Sequence, residues 1–185
     1  MAGETVEASA VSILSYEPPS LPANEAAREM AVELSEALQA RGDKILGELV
    51  QEARRHFEAT ISTISIVHGD AQHVIAADGV SPGIYGRRLS FAGHAIAADQ
   101  DTFCITDLSQ EQRFAENPWV NCERGSMRFY AAVLLRDGAG MPIGVLSVLA
   151  DKPRDALIGS EQTMLRAYAS RVMARLATLR TGSFG

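Results

Sequence analysis

Five side chains in this sequence are suited to holding a small ligand: His94, Asp107, Trp119, Arg128 and Tyr130. A neutral imidazole offers one donor and one acceptor and changes charge near neutral pH. A guanidinium presents five donors in a rigid fork that fits a carboxylate or phosphate. Tryptophan and tyrosine add flat apolar surface with one polar atom each. His94 lies in SFAGHAI (90–96), Asp107 and Trp119 in ITDLSQEQRFAENPWV (105–120), and Arg128 and Tyr130 in RFYAAVLL (128–135). Each also has a structural alternative. His94 can bond to nearby backbone, Asp107 can cap a helix over LSQEQRFA, and Arg128 can pair with Asp107 or Glu123. Trp119 can fill a pocket instead of covering it. Phe129 and Tyr130 alternate across a strand, so one faces a pocket and the other the terminal helices.

No catalytic or metal-binding set accompanies these residues. Cys104, between Phe103 and Ile105 in a predicted strand, reads as a buried inert thiol, whereas Cys122 falls in a loop where a thiol can react. His56, His68, His73 and His94 lack metal-ligand spacing with one another or with the cysteines. DGAGMP (137–142) reads as a hairpin turn and lacks the lysine and following helix of a phosphate loop. No cofactor is assigned.

The elements that must position these residues belong to one domain. The chain has 185 residues, 46% hydrophobic and 22% charged, with 15 Gly and 7 Pro. A chain of this size buries roughly 70% of its unfolded surface and needs no crosslinks. A net charge of −6 without a basic run argues against nucleic acid as a partner. No apolar run approaches the roughly 20 residues of a membrane span, and no basic start leads into an apolar core as in a secretory signal. The expectation is a cytoplasmic protein with reduced thiols and no membrane partner.

Residues 1–23 are predicted to form a flexible tail that docks through Ile13, Leu14 and Tyr16, and residues 24–182 one domain. Asn24 is the predicted cap of a helix whose stripe is Ala27, Met30, Ala31, Leu34 and Leu38. RGD (41–43) interrupts that stripe, which resumes with Ile45, Leu49, Ala53 and Phe57, as one kinked helix or two. Ser160 is predicted to cap a closing helix with Leu165, Tyr168, Val172, Leu176 and Leu179 on one face. Between the helices, ATISTISIV, QHVIAA, TFCITD, RFYAAVLL and IGVLSVLA read as strands. RFAENP is predicted to lead into a loop, with Asn117 and Pro118 ending the helix before it. The order suggests an α+β fold, an antiparallel sheet with terminal helices on one face and the central region on the other.

These segments resemble the GAF domains of bacterial and fungal signalling proteins. SFAGHAI, ITDLSQEQRFAENPWV, RFYAAVLLRDGAGMPIGVLSVLADKPR and the closing EQTMLRAYASRVMARL follow one another in the order of a subgroup that typically carries SFCGHAI, RFYAGxPL and GxLCVxDxxPR. Three positions depart from it: Ala92 and Ser147 stand where the subgroup usually has cysteine, and Ala150 where it has aspartate. The resemblance implies a six-stranded antiparallel sheet with a pocket over one face. It also implies a non-catalytic sensor or regulatory role: binding a small ligand, or signalling through a homodimer of terminal helices. His94, Asp107, Trp119, Arg128 and Tyr130 are the expected ligand residues. Covalent tetrapyrrole attachment in photoreceptor relatives commonly uses Cys-His, and Cys104-Ile105 and Cys122-Glu123 do not supply that pair. Two other readings stay open: a dimerisation scaffold that fills its own pocket, and an enzyme like the GAF-fold free methionine sulfoxide reductases. No kinase, cyclase or DNA-binding segment is legible after the domain, so output is expected through a signalling partner protein or through further sequence of a longer chain.

Overall fold

The computed structural model describes residues 16–182; Ile13 and Leu14 of the predicted docking tail lie outside them. The sheet has six strands: β1 (Ile61–His68), β2 (Ala71–Asp78), β3 (Gly83–Gly86), β4 (Thr102–Ile105), β5 (Phe129–Arg136) and β6 (Pro142–Ala150). Their spatial order is β3-β2-β1-β6-β5-β4, and every neighbouring pair is antiparallel. β3 is the strand that residue patterning missed. Its four residues, GIYG, are too short and glycine-rich to show alternation, and an edge needs no more.

Helices α1 (Glu25–Ser35), α2 (Lys44–His56) and α4 (Gly159–Gly182) cover one face, and α3 (Phe91–Ala98) with residues 107–127 covers the other. Strand alternation sorts the side chains between two cores. Ile64, Ile66, Phe129, Ala131, Leu146 and Val148 meet the terminal helices, while Ile61, Val67, Tyr130, Ala132, Val145 and Leu149 meet α3 and the roof. All nine residues of β6 are buried.

Four local predictions fail for identifiable reasons. α1 does not bury its apolar stripe: Met30 and Leu34 are 61% and 72% exposed, and the buried residues are Arg28, Ala31 and Val32. Asn24 makes no side-chain cap; its amide donates to Met141 instead. Glu36 ends α1 in the left-handed region, and Asp43 opens α2 by accepting from Leu46 N, so two helices flank the interruption. α4 starts one residue before Ser160, and the Glu161 carboxylate accepts the Ile158 N–H. Residues 108–115 form successive turns and no helix. Asp107, Asn117 and Asn121 each accept the N–H two residues on, from Ser109, Trp119 and Glu123, and such local bonds compete with the helical ladder.

Arg28 turns inward because it meets partners there. Its guanidinium is fully buried, donating to both Glu25 carboxylate oxygens at 2.8 Å, to Val67 O at 2.6 Å and to Glu29. Arg87 donates to the same Glu25 and to Gly69 O. Glu29 accepts from Gly69 N and pairs with His68 at 3.0 Å. This cluster ties α1 to the β1–β2 turn and to the 3-10 turn Arg87–Leu89, which leads into α3. Burial alone pushes the Glu25 carboxyl up, but Arg28 and Arg87 outweigh it and hold the group well below the usual carboxylate range.

Arg28→Ala leaves Glu25 with a lost partner in a half-dry site and is expected to cost about 3 kcal/mol, read by urea unfolding at pH 7. Since Glu25 is held lower in the folded chain than unfolded, its contribution is complete above roughly pH 4.3 and drains away on acidification below it. A loss under about 1 kcal/mol, the size of an exposed pair, contradicts the clamp.

Candidate functional site

Beneath the roof lies a cavity of about 70 Å³. That is room for more than a single water molecule. Its floor is the sheet: Ile61 and Thr63 from β1, Gln72 and Val74 from β2, Tyr130 from β5, and Ser147 and Leu149 from β6. Phe91 and Ala92 of α3 form one wall. Tyr85, Trp119 and Arg124 close the remaining side.

Ser90 caps α3 by accepting from Gly93 N at 2.9 Å, which sets Phe91 over the floor. The Phe91 ring lies 5.3 Å from that of Tyr130 and 5.6 Å from that of Phe114. Trp119 meets Tyr85 edge-on at 6.0 Å and packs beside Gly125. Its position follows from Asn117, whose amide donates to Leu89 O at 3.0 Å while its oxygen accepts from Trp119 N. The aromatic wall is therefore anchored to the strand-to-helix turn by one asparagine.

The floor carries a chain of hydroxyls. Thr63 Oγ1 and Ser147 Oγ are 2.9 Å apart across the β1–β6 pair, Thr63 is 3.3 Å from Ser65, and Gln72 donates to Ser65 at 2.9 Å. Tyr130 is fully enclosed, and its hydroxyl is sealed from solvent with no aligned hydrogen-bond partner among the described residues. It lies beside Ser147, whose hydroxyl bonds Thr63 and keeps acceptor capacity toward the phenol. Burial pushes the phenol far above its ordinary range, against a smaller opposing effect from Ser147, so it stays a neutral group.

The structure brings two of the five expected ligand residues, Trp119 and Tyr130, to this cavity and places three elsewhere. His94 is half-buried; its Nε2 bonds to Glu17 O at 2.9 Å and its ring meets Phe114 at 4.7 Å. Burial lowers its basicity, partly offset by that carbonyl. With Glu17 N donating to Arg113 O, His94 pins the N-terminal segment across α3. Asp107 accepts from the backbone and hydroxyl of Ser109. Arg128 donates to the carbonyls of Val120 and Met127, not to Asp107 or Glu123. Phe129 faces the terminal helices, with Arg154 over its ring. Thr63, Gln72, Tyr85 and Ser147 also line the cavity and were missed. A signal existed for Thr63 alone, the polar alternation T-x-S inside an otherwise apolar strand.

Both cysteines are free. Cys104 packs on the terminal-helix side of β4, and burial raises its thiol; Cys122 is exposed on the roof. The sheet separates the two. Among the described residues no three His, Cys, Asp or Glu side chains converge as a metal site, and no helix is long and apolar enough to cross a membrane.

This architecture matches a known class of signalling and sensor modules. The chain belongs to the GAF domain family, whose model matches residues 22–176. It is 32% identical over 166 residues to cyclic di-GMP phosphodiesterase PA2567 of Pseudomonas aeruginosa, covering 90% of this chain but 28% of that protein. Among solved structures, the GAF domain of a phosphoenolpyruvate-protein phosphotransferase from Coxiella burnetii superposes with a TM-score of 0.63 at 11% identity, over 86% of this chain and 99% of that one. A type II free methionine-R-sulfoxide reductase from Thermoplasma acidophilum gives 0.59 at 16%, over 77% and 94%. The chromophore-binding domain of a bacteriophytochrome from R. palustris gives 0.60 at 14%, over 88% and 64%. These likenesses show the shared fold.

Tyr130→Phe keeps the ring packing and removes an unsatisfied hydroxyl, so thermal unfolding is expected to show equal stability or a gain of up to about 1 kcal/mol. A loss beyond about 1 kcal/mol means that the hydroxyl is bonded inside the protein.

Proposed function

We propose that this chain is a non-catalytic regulatory module that binds a small molecule beneath its roof and passes occupancy to its terminal helices in a homodimer. The observation that carries the reading is the cavity itself, about 70 Å³ between sheet and roof, walled by Phe91, Tyr85 and Trp119 with Thr63, Gln72 and Ser147 on its floor. A ligand that orders Trp119 and the roof has a physical route to the other face, because Arg87, just before α3, shares Glu25 with Arg28 of α1.

The homodimer is supported by α1, which leaves Ala27, Met30 and Leu34 exposed at helical spacing on the face away from the core. By likeness to the relative named a cyclic di-GMP phosphodiesterase, the output we assign is control of cyclic di-GMP turnover carried by another chain or by further segments of the same polypeptide. The small cavity volume favours one competing reading, a scaffold whose aromatic side chains fill the pocket on their own. A sulfoxide reductase reading has less support, because the sheet keeps Cys104 from acting with Cys122.

Native mass spectrometry of the purified chain tests both parts of the proposal. The expected result is a two-chain mass at micromolar concentration, with a small molecule retained or accepted. Leu34→Glu is expected to shift the mass to one chain without loss of fold, since the residue is 72% exposed. A monomer at high micromolar concentration that no small molecule stabilises against heat contradicts the sensor and supports neither dimer nor ligand.

A further inference from the structure

The lining of the cavity divides into a buried inner part and an outer mouth, and the two differ in charge. Thr63, Phe91, Ser147 and Leu149 are buried, whereas Gln72, Tyr85 and Trp119 are half-buried and Arg124 is exposed. The space therefore opens between β3 and the roof. Thr63 and Ser147 are bonded to each other at 2.9 Å, and no charged side chain lines the inner part. A charge carried inside would lose its water with nothing of opposite sign to replace it, which costs far more than burying a neutral group.

The mouth is different. Arg124 is the one charged side chain lining the cavity among the described residues, and no carboxylate accompanies it there. The loop that carries it is held in place: Arg124 N donates to Pro118 O at 2.7 Å, Cys122 N to Gly125 O at 3.0 Å and Met127 N to Trp119 O at 2.9 Å. The guanidinium itself makes no hydrogen bond or ion pair among the described residues. The neighbouring Glu123 carboxylate accepts from the Asn121 amide instead. Five donors in a planar fork thus stand unspent beside the entrance, in a form that receives the paired oxygens of a carboxylate or phosphate.

We infer that the cavity takes an amphipathic anion, whose uncharged, mainly apolar body lies inside against Phe91 and Leu149 while its carboxylate or phosphate stays at the mouth on Arg124. The inference rests on the reading of this cavity as a ligand site, but it can fail while that reading stands. A cation is opposed at the mouth by Arg124 and finds no carboxylate further in.

Benzoate, benzamide and benzamidinium are an anion, a neutral molecule and a cation of one shape. Acetate, acetamide and acetamidinium repeat the comparison without a ring. Trp119 is the only tryptophan in the chain, so its single indole N–H resonance reports from the cavity mouth. In titrations of the whole chain at low salt, the anion of a set is expected to bind about three- to tenfold more tightly than the amide, and the cation most weakly. The advantage of the anion is expected to shrink as salt is raised. Arg124→Gln is expected to bring the anion to the level of the amide and to leave amide binding unchanged, which also shows that the fold has survived. Arg124→Lys is expected to keep part of the preference. Phenyl phosphate titrated against benzoate tells which anionic group is held, and either one supports the inference. An amide that binds as tightly as its anion overturns the anionic class and leaves the sensor reading standing. A preference for the anion that survives Arg124→Gln overturns the role of Arg124. If no probe moves the indole, the inference falls, and native mass spectrometry decides separately whether the chain retains any small molecule.

Discussion

Everything in this domain depends on a sheet sealed on both faces. β6 is buried along its whole length, and β1 and β5 along all but one residue each. In such a sheet a polar side chain cannot turn to water, and it either finds a partner inside or leaves a cost standing. Thr63, Ser65, Ser147 and Gln72 settle that cost among themselves. The Ser62 and Tyr130 hydroxyls are sealed in the same sheet with no aligned partner among the described residues, and the cavity under Phe91 and Trp119 is what distinguishes this roof from ordinary core packing.

The two faces are tied together at one corner. Arg28 on α1 and Arg87 at the approach to α3 share the Glu25 carboxylate, while Glu29 holds the β1–β2 turn through Gly69 N. A buried ionic cluster adds little net stability relative to an apolar one, but it fixes geometry because its bonds are directional. Here it fixes how the roofed side sits relative to the helical side. The segment at residues 17–19 adds a second tie: His94 holds Glu17, and Pro19 covers Gly93 at the start of α3. These contacts join the roofed side to the segment that precedes α1.

Much of this was legible in the residues alone. α4 follows its apolar period and α2 does so except at Ile45, which is exposed while Leu46 and Val50 are buried; β1, β2, β5 and β6 follow β-branched runs and hairpin turns, because side-chain burial decides those elements. Where bonding decided instead, hydrophobic pattern misled. α1 rotates to bury Arg28 and leaves Met30 and Leu34 outside, and the Asx turns at Asp107, Asn117 and Asn121 replace a predicted helix. The site divides the same way. Tyr130 and Trp119 were legible as a strand aromatic and a roof aromatic. His94, Asp107 and Arg128 offer donor and acceptor capacity, which the structure spends on backbone groups and, for Asp107, on the Ser109 hydroxyl as well. The serine and threonine floor was visible only as alternation in ATISTISIV, and its meaning needed the register that sets Thr63 opposite Ser147.

The most direct test of the central claim, that the roof holds a cavity for a guest, is a high-resolution electron-density map of that space. The account predicts density for a water or small molecule above Thr63 and Ser147, covered by Phe91 and Trp119. Aromatic side chains packed directly onto that floor, with no space between them, would contradict it.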